Sequence, residues 1–417
     1  MPVTAPASPR HAPVGTDPAA PRPPENARRA DRPGRRDTLP GRALSRLRPV
    51  DREVLWLYLV TRAALWTTAY CTRRLFPTDG DARTPEPVLA SFERWDWGHF
   101  LHIARDGYFP DPGPGPGQGD NREAFFPGFP LLLRAVHTVV ADWTVAGLLI
   151  SFAAGAVAVV ALARIAELHL PGSHTGRRAA LFLLLSPCAV FLAAGYSEAL
   201  FLAFALPAWL AAQQHRWPLA ALLAAGATTV RVSGLFLAAA LAVQFLMTVR
   251  TRRRRVALLA LPALPALLYF WYLYERTGDW MAWKHAQERG WYRHFRAPWE
   301  AWSQTWHEAF AHTQATGYAA LFQADLVAML VGLALLALLV RRRRWPEAVY
   351  IALTLWALGT SYWYMSIARS TLLWWPLWIG LAVWSLRGRT TTALYVCLVA
   401  PLNTVLTLTF LTGRWAG

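Results

Sequence analysis

Residues 179 to 213 read AALFLLLSPCAVFLAAGYSEALFLAFALPAWLAAQ, and this stretch decides the fold. It is too long for one membrane crossing of about 20 residues and too short for two full ones. Its middle carries a polar run, GYSE at 195–198. Residues 217 to 249 have the same character, with RVSG at 231–234 near the middle. We therefore predict two helical hairpins with short arms, whose polar tips enter the membrane from one side.

Composition points to a membrane protein. Apolar residues make up 55% of the 417-residue chain and charged residues only 16%, whereas soluble domains are about a quarter charged. The formal charge of +17 comes from arginine clusters, and Lys284 is the sole lysine. Because the clusters lie between apolar stretches, they fit the positive-inside bias of cytoplasmic loops rather than a nucleic-acid-binding fold. The three cysteines lie far apart and offer neither a zinc motif nor a disulfide framework.

The first 50 residues form a segment of their own. They hold eleven prolines and ten arginines against four acidic residues, and they contain no apolar core of a signal peptide. We predict a disordered cytoplasmic tail over 1–50 and a single transmembrane domain over 51–417.

The arginine clusters fix a topology for the apolar stretches. If both long stretches are hairpins, every strong cluster falls on the cytoplasmic side; reading each stretch as one crossing is the alternative and accounts less well for the pair at 177–178. External loops are then predicted at about 72–143 and 275–320. The result is an all-α, multi-pass bundle of about eleven crossings in the cell membrane, with a cytoplasmic N-terminus. The predicted crossings are 54–70, 144–166, two each in 179–213 and 217–249, 256–274, 321–340, 350–364, 372–386 and 393–411.

The first external loop contains the run RWDWGHFLHIARDGY at 94–108. Its apolar residues fall at helical spacing (97, 100, 101, 104), which predicts a short amphipathic helix on the membrane surface. Asp96 then lies at the helix N-cap, where a carboxylate accepts backbone N–H bonds. Capping alone is one interpretation; a carboxylate between Trp95 and Trp97, where a sugar could stack and a base could act, is the other.

Other polar residues offer weaker signals. Glu198 and Arg231 lie in apolar stretches, so they are functional candidates, although they could also pair with each other or cap broken helices. His99 and His102 have a metal-ligand spacing but no third ligand at a telling distance, so a solvated face is favoured over a metal site. No Gly-rich phosphate loop, HExxH or GxSxG motif occurs in the chain.

Three ordered motifs resemble the PIG-V family, the GPI mannosyltransferase 2 group. The first is the run at 94–108 followed by AFFPGFPL at 124–131, the second is SPCAVFLAAGYSEALF at 186–201, and the third is VRVSGL at 230–235. In the third motif Val232-Ser233 replaces the Ser-Asn expected in the family. The resemblance covers about 90 to 240, and the C-terminal half only by hydropathy.

The resemblance implies a GT-C glycosyltransferase with a polyprenyl-phosphate-linked mannose donor. By that resemblance Asp96 is the general base of an inverting transfer. The leaving phosphate needs a cation to neutralise it, and Arg231 is the best-placed candidate, with Arg369 at another external turn second. No cofactor is implied, although a role for a divalent metal stays open. The other expected donor- or substrate-binding residues are Trp95, His99, Glu123, Tyr196 and Glu198.

The expected partners are the lipid-linked sugar, a glycan or glycolipid acceptor and membrane lipid, without nucleic acid. Arginine in place of lysine indicates a GC-rich bacterial genome, so the expected acceptor is an envelope glycan rather than a GPI anchor. The alternatives are a transporter or flippase for a lipid-linked sugar, which predicts internal repeats that we do not find, and a non-catalytic scaffold. The aromatic stretch 280–306 could bind acceptor or form an interfacial belt, and the belt is slightly favoured.

Overall fold

A computed structural model describes residues 48–76, 87–110, 121–172, 174–248 and 257–417. In these ranges the chain forms α-helices and short 3-10 helices, and no β-strand. Residues 1–47 of the predicted tail lie outside the described residues. The first helix begins at Pro49, within the last two residues of the range predicted as tail.

The α-helices of the described ranges follow one another along the chain as listed here. They are α1 Pro49–Leu75, α2 Asp96–Asp106, α3 Gly128–His137, α4 Trp143–His169, α5 Thr175–Leu184, α6 Ser197–Gln213, α7 Trp217–Val230, α8 Ser233–Thr248, α9 Leu264–Thr277, α10 Ala282–Trp291, α11 Pro298–Phe310, α12 Thr316–Arg341, α13 Trp345–Gly359, α14 Ile367–Ser370, α15 Trp375–Ser385 and α16 Arg389–Leu411.

Several of these helices are apolar enough for a membrane. By length and composition α4, α12 and α16 can each cross one, since 23 to 27 residues extend roughly 35–40 Å at 1.5 Å per residue. The apolar helices α6, α7 and α8 are shorter. The chain is thus an all-α membrane protein, as predicted. The helices that correspond to the eleven predicted crossings are α1, α4, α5, α6, α7, α8, α9, α12, α13, α15 and α16.

The first predicted hairpin is confirmed. Helix α5 ends at Leu184 and α6 begins at Ser197, so the break includes the start of the polar run. A Cβ on Gly176 would lie 2.7 Å from the Ala163 oxygen, and Gly195 lies against Gly147. The chain between these glycines therefore runs antiparallel to α4, and its tip lies beside the beginning of α4.

The second hairpin is also confirmed. Helix α7 ends at Val230, Arg231 is extended, and α8 begins at Ser233. The Trp217 and Phe245 rings, at the far ends of the two arms, are 4.9 Å apart between centroids. At the tip, a Cβ on Gly234 would lie 2.4 Å from the Cα of Thr228, so only glycine permits this close approach.

Arginine contacts mark one end of the bundle, which we call the arginine end. Arg344 contacts His169, the last residue of α4. Arg164, near the same end of α4, forms an ion pair of 2.7 Å with Asp51 at the start of α1. Arg178 donates to the Ser385 oxygens at the end of α15. The predicted cytoplasmic residues therefore meet at the end of α4 opposite to Gly147.

The stretch 275–320, which was predicted as an external loop, contains the helices α10 and α11. These helices are short and amphipathic, so they lack the long apolar runs that predict membrane crossings. Ala282 and Ala286, one turn apart, form the buried face of α10. Helix α10 packs against the 3-10 helix Arg122–Ala124 of the first predicted loop.

Trp97 joins α2 to the bundle, and this contact gives a testable prediction. Its ring fills the space between Gly147 and Gly195, and a Cβ on Gly147 would lie 2.4 Å from the ring atom Cζ3. Gly147→Ala is expected to lower the free energy of unfolding by about 1–3 kcal/mol, because a packed indole cannot give way cheaply. Thermal unfolding in detergent measures this loss.

The matched control is Gly380→Ala in α15, where a Cβ would meet nothing within 4 Å. That variant is expected to keep or raise the stability, since alanine is the better helix former. Equal unfolding midpoints for the two variants would contradict the close packing of the Trp97 ring between Gly147 and Gly195.

Candidate active site

Asp96 is the first residue of α2, and the N-cap position belongs to Trp95. The capping prediction is therefore wrong by one residue. Trp95 has a φ of 50°, a left-handed backbone value that is uncommon for a bulky side chain. The chain turns sharply there, so the Asp96 side chain is placed at the start of the helix without being its cap.

The predicted apolar face of α2 is confirmed. Trp97, Phe100 and Ala104 are buried, and Phe100 packs against Phe129 of α3 at 4.9 Å between ring centroids. Because this face is fixed against the bundle, the direction of the Asp96 side chain is fixed as well.

Arg369 joins the two predicted acidic residues. Its Nη1 lies 2.8 Å from Oδ2 of Asp96, and its Nη2 lies 2.6 Å from Oε1 of Glu198. Nε of Arg369 donates to the same Glu198 oxygen at 2.8 Å. Burial lowers the pKa of Arg369, but the charges of Glu198 and Asp96 outweigh it and raise the pKa above its ordinary value. The guanidinium is therefore charged at any physiological pH.

Glu198 also pairs with the second hairpin tip. Arg231 donates from Nη1 to Oε1 of Glu198 at 2.8 Å and to the Ser197 hydroxyl at 2.7 Å. The pairing that we considered as a structural alternative thus exists. Both arginines share Oε1, and Oε2 of Glu198 is buried with no hydrogen-bond partner in the described chain. One carboxylate therefore holds two cations in place.

Tyr196 contacts this network of charged side chains through both its hydroxyl and its ring. Its hydroxyl donates to the Arg94 carbonyl at 2.6 Å, which ties the hairpin tip to the chain just before Asp96. The Arg369 guanidinium lies over the rings of Phe191 and Tyr196, at 4.4 and 4.8 Å from the centroids. Such cation–π contacts hold a guanidinium in a fixed plane.

A cavity of about 390 Å³ opens in front of this network. Asp96, Arg231 and Arg369 lie in its wall, so the structure brings three of the predicted residues to one space. The volume is in the range of small-molecule sites. Arg293, Lys284 and Gln287 also line it, and its aromatic wall comprises Phe100, Phe125, Phe126, Phe236, Trp283, Trp291, Phe295, Trp356 and Trp415.

Five of the predicted residues do not line the cavity, namely Glu198 and Tyr196 of the network and Trp95, His99 and Glu123. Trp95 is 41% exposed and contacts Trp415 edge-on at 5.0 Å. His99 stacks on Phe125 at 4.7 Å, so the solvated face predicted for it is wrong, whereas His102 is exposed. Glu123 is buried, and its carbonyl accepts the Tyr269 hydroxyl.

A metal site finds no support in the ranges that the structure describes. They hold no group of three or more His, Cys, Asp or Glu side chains placed to bind an ion. His99 and His102 thus acquire no third ligand from the described residues. That the reaction needs no cofactor stays a prediction.

Two residues of the site escaped the sequence analysis. Asp325 of α12 accepts the Ala368 N–H at 2.8 Å and so holds the turn that presents Arg369. Arg293 lines the cavity, and burial together with the charge of Arg231 lowers its pKa to about 10, so it is a cation at neutral pH. Arg293 lies in the polar stretch 275–320, where charged residues are common, so no sequence pattern distinguished it from its neighbours.

Comparison with known proteins agrees with this geometry. The family described as "Mannosyltransferase (PIG-V)" matches residues 82–261, which contain both hairpin tips and α2. GPI alpha-1,6-mannosyltransferase 2 of Mus musculus is 36% identical over 177 residues, which are 40% of this chain and 34% of that protein. The human protein of the same name is 35% identical over 189 residues, 43% of this chain and 36% of its own length.

The matches thus span about a third of the length of these relatives, and Arg293 and Arg369 lie beyond the matched family segment. Within that segment, the motif residues of all three runs converge on one network beside one cavity. Residues 82–261 of the chain thus match the mannosyltransferase (PIG-V) family.

Proposed function

We propose that the protein transfers mannose from a polyprenyl-phosphate-linked donor to a hydroxyl group of an envelope glycan or glycolipid. The observation that carries the proposal is the position of Asp96, held by Arg369 in the wall of a cavity that is otherwise cationic on that side. A carboxylate beside several guanidinium groups suits a reaction that takes up a proton and releases a phosphate.

In the proposed reaction Asp96 is the general base. It takes the proton of the acceptor hydroxyl as that oxygen attacks C1 of the sugar. The bond between C1 and the phosphate oxygen breaks, and the polyprenyl phosphate leaves with the electron pair. Attack from the face opposite to the leaving group inverts the anomeric centre. Because Arg369 contacts Oδ2, Oδ1 is the oxygen that accepts the proton.

The lining of the cavity suits both parts of the substrates. Arg231 and Arg369 would neutralise the charge that develops on the leaving phosphate. The lining also presents Trp283, Trp291 and Trp356, and flat indole rings stack on the apolar faces of sugars. These rings support the binding of an acceptor in the cavity.

The position of the network supports an extracytoplasmic site. It lies beside the beginning of α4, whereas the contacts of Arg164, Arg178 and Arg344 lie near the other end of that helix. Arginine-rich ends of membrane helices remain in the cytoplasm, so the cavity would open on the opposite side of the cell membrane.

A transfer assay tests the function. Membrane vesicles containing the full chain are expected to transfer radiolabelled mannose from polyprenyl-phosphomannose to an envelope lipid fraction, and to transfer none from GDP-mannose. The rate is expected to be unchanged in EDTA, because the proposed steps use only side chains. Comparison of an envelope glycolipid with a GPI precursor as acceptor would identify the acceptor class.

The same assay separates the transferase from the flippase alternative. A flippase moves the lipid-linked sugar across the vesicle membrane without covalent change, so the label would stay on the donor lipid. Donor label that crosses the membrane but never reaches an acceptor would refute the transferase.

A further inference from the structure

Arg293 differs from the other two arginines of the cavity. It follows α10 after Tyr292, whose φ of 53° turns the chain, and its backbone is held from both sides. Its backbone N–H donates to the backbone carbonyl of Gln287, and its own carbonyl accepts a hydrogen bond of 2.5 Å from Nζ of Lys284. The backbone is therefore fixed while the side chain lines the cavity.

The Arg293 side chain forms no hydrogen bond or ion pair with the described residues, and its Nε is sealed from solvent. The charges of Asp325 and Asp96 favour its charged form, but neither carboxylate forms an ion pair with the guanidinium. By contrast, Arg231 and Arg369 are bonded to Glu198, and Arg369 also to Asp96. Leaving a buried guanidinium nitrogen without a bond costs free energy, so such a group commonly awaits a ligand.

The charges around the cavity lead to the same residue. Its lining includes the cations Arg231, Lys284, Arg293 and Arg369 and one carboxylate, Asp96. From behind the wall, Glu198 pairs with Arg231, and Glu288 pairs with Lys284 at 2.5 Å. Each cation except Arg293 thus has a direct carboxylate contact.

We propose that Arg293 binds the phosphate group of the lipid-linked donor. This proposal rests on the proposed function for the identity of the donor, whose phosphodiester carries one negative charge. A guanidinium presents two parallel N–H donors to two phosphate oxygens, and such charge-assisted bonds are about twice as strong as neutral ones. Arg231 and Arg369 then assist while they stay paired with Glu198.

The segment beyond the matched family region would thereby complete the site. Arg293 lies outside 82–261, as does Asp325, which holds the turn before Arg369. Arg293 would be the principal phosphate ligand, a role that the sequence analysis gave to Arg231.

The test measures binding without turnover. Calorimetry on the full chain in detergent compares citronellyl phosphate with citronellol, two short lipids that differ by the phosphate. Arg293→Gln is expected to raise the Kd of citronellyl phosphate about 10- to 100-fold, the loss of a hydrogen bond between charged groups, and to leave citronellol binding unchanged. Arg293→Lys keeps the charge without the planar fork, so its Kd should be intermediate.

Arg296→Gln is the matched control. Arg296 is exposed, contacts the Tyr362 ring at 5.5 Å and lies outside the cavity lining, so both Kd values should stay at those of the unaltered chain. Unaltered phosphate binding in both Arg293 variants, or equal loss for the two lipids, would overturn the proposal. If Arg293→Gln does not fold, Arg293→Lys decides by the same comparison. A chain that binds phosphate through Arg293 but transfers no mannose would refute the proposed function alone.

Discussion

Asp96→Asn is expected to reduce mannose transfer by about 10²- to 10⁴-fold, the contribution of a positioned general base. The amide keeps the size of the carboxylate but cannot take up a proton at neutral pH. Its oxygen can still accept the hydrogen bond that Arg369 now donates to Oδ2. The effect should therefore fall on kcat, whereas KM for the donor and the amount of folded protein change little.

Asp106→Asn is the matched control for this prediction. Asp106 is the last residue of the same helix, α2, and it is exposed and outside the cavity lining. The substitution changes the same charge on the same element, so transfer should continue at the rate of the unaltered chain. Equal activity of the two variants would refute Asp96 as the base, even if mannose transfer itself were established.

The parts of the site that lie in local sequence patterns could be predicted. The spacing of Trp97, Phe100 and Ala104 gave the buried face of α2, and the polar runs at 195–198 and 231–234 gave the two hairpin tips. Each signal depends on residues within about two turns of one another, where periodicity fixes the side that faces the core.

The pairings could not be predicted, because they depend on packing between distant segments. Arg369 meets Glu198 across 171 positions of the chain, and no local pattern specifies that contact. The sequence suggested a pair of Glu198 with Arg231, but not that a second arginine shares the same oxygen. Asp96 as the N-cap was wrong for a local reason, since helix ends are the least certain part of any sequence prediction.

The aromatic stretch 280–306 shows the same limit. Either an acceptor site or an interfacial belt fitted its composition, and the structure separates its tryptophans into cavity-lining and exposed ones. Trp283 and Trp291 line the cavity, whereas Trp280, Trp299 and Trp306 are more than half exposed. Which tryptophans line the cavity depends on the face of the short helix that is turned toward it, and composition contains no information about that orientation.

Arg369→Gln is expected to have the largest effect on stability, lowering the free energy of unfolding by about 3–5 kcal/mol. Arg369 is almost fully buried and neutralises Asp96 directly, and it shares Glu198 with Arg231. Its removal leaves Asp96 without a cation and Glu198 with one partner in place of two. Thermal unfolding in detergent measures the loss, and Arg387→Gln, an exposed arginine at the arginine end, should change stability by less than about 0.5 kcal/mol.

A double-mutant cycle separates this electrostatic effect from lost packing. Asp96→Asn in the Arg369→Gln background removes the carboxylate that has lost its cation, so it should restore about 1–3 kcal/mol of stability while transfer remains absent. Additive effects of the two substitutions would mean that the Phe191 and Tyr196 contacts, rather than the charge pair, make Arg369 necessary. Recovered stability would instead show that the charge pair of Asp96 and Arg369, rather than the packing of Arg369, stabilises this part of the fold.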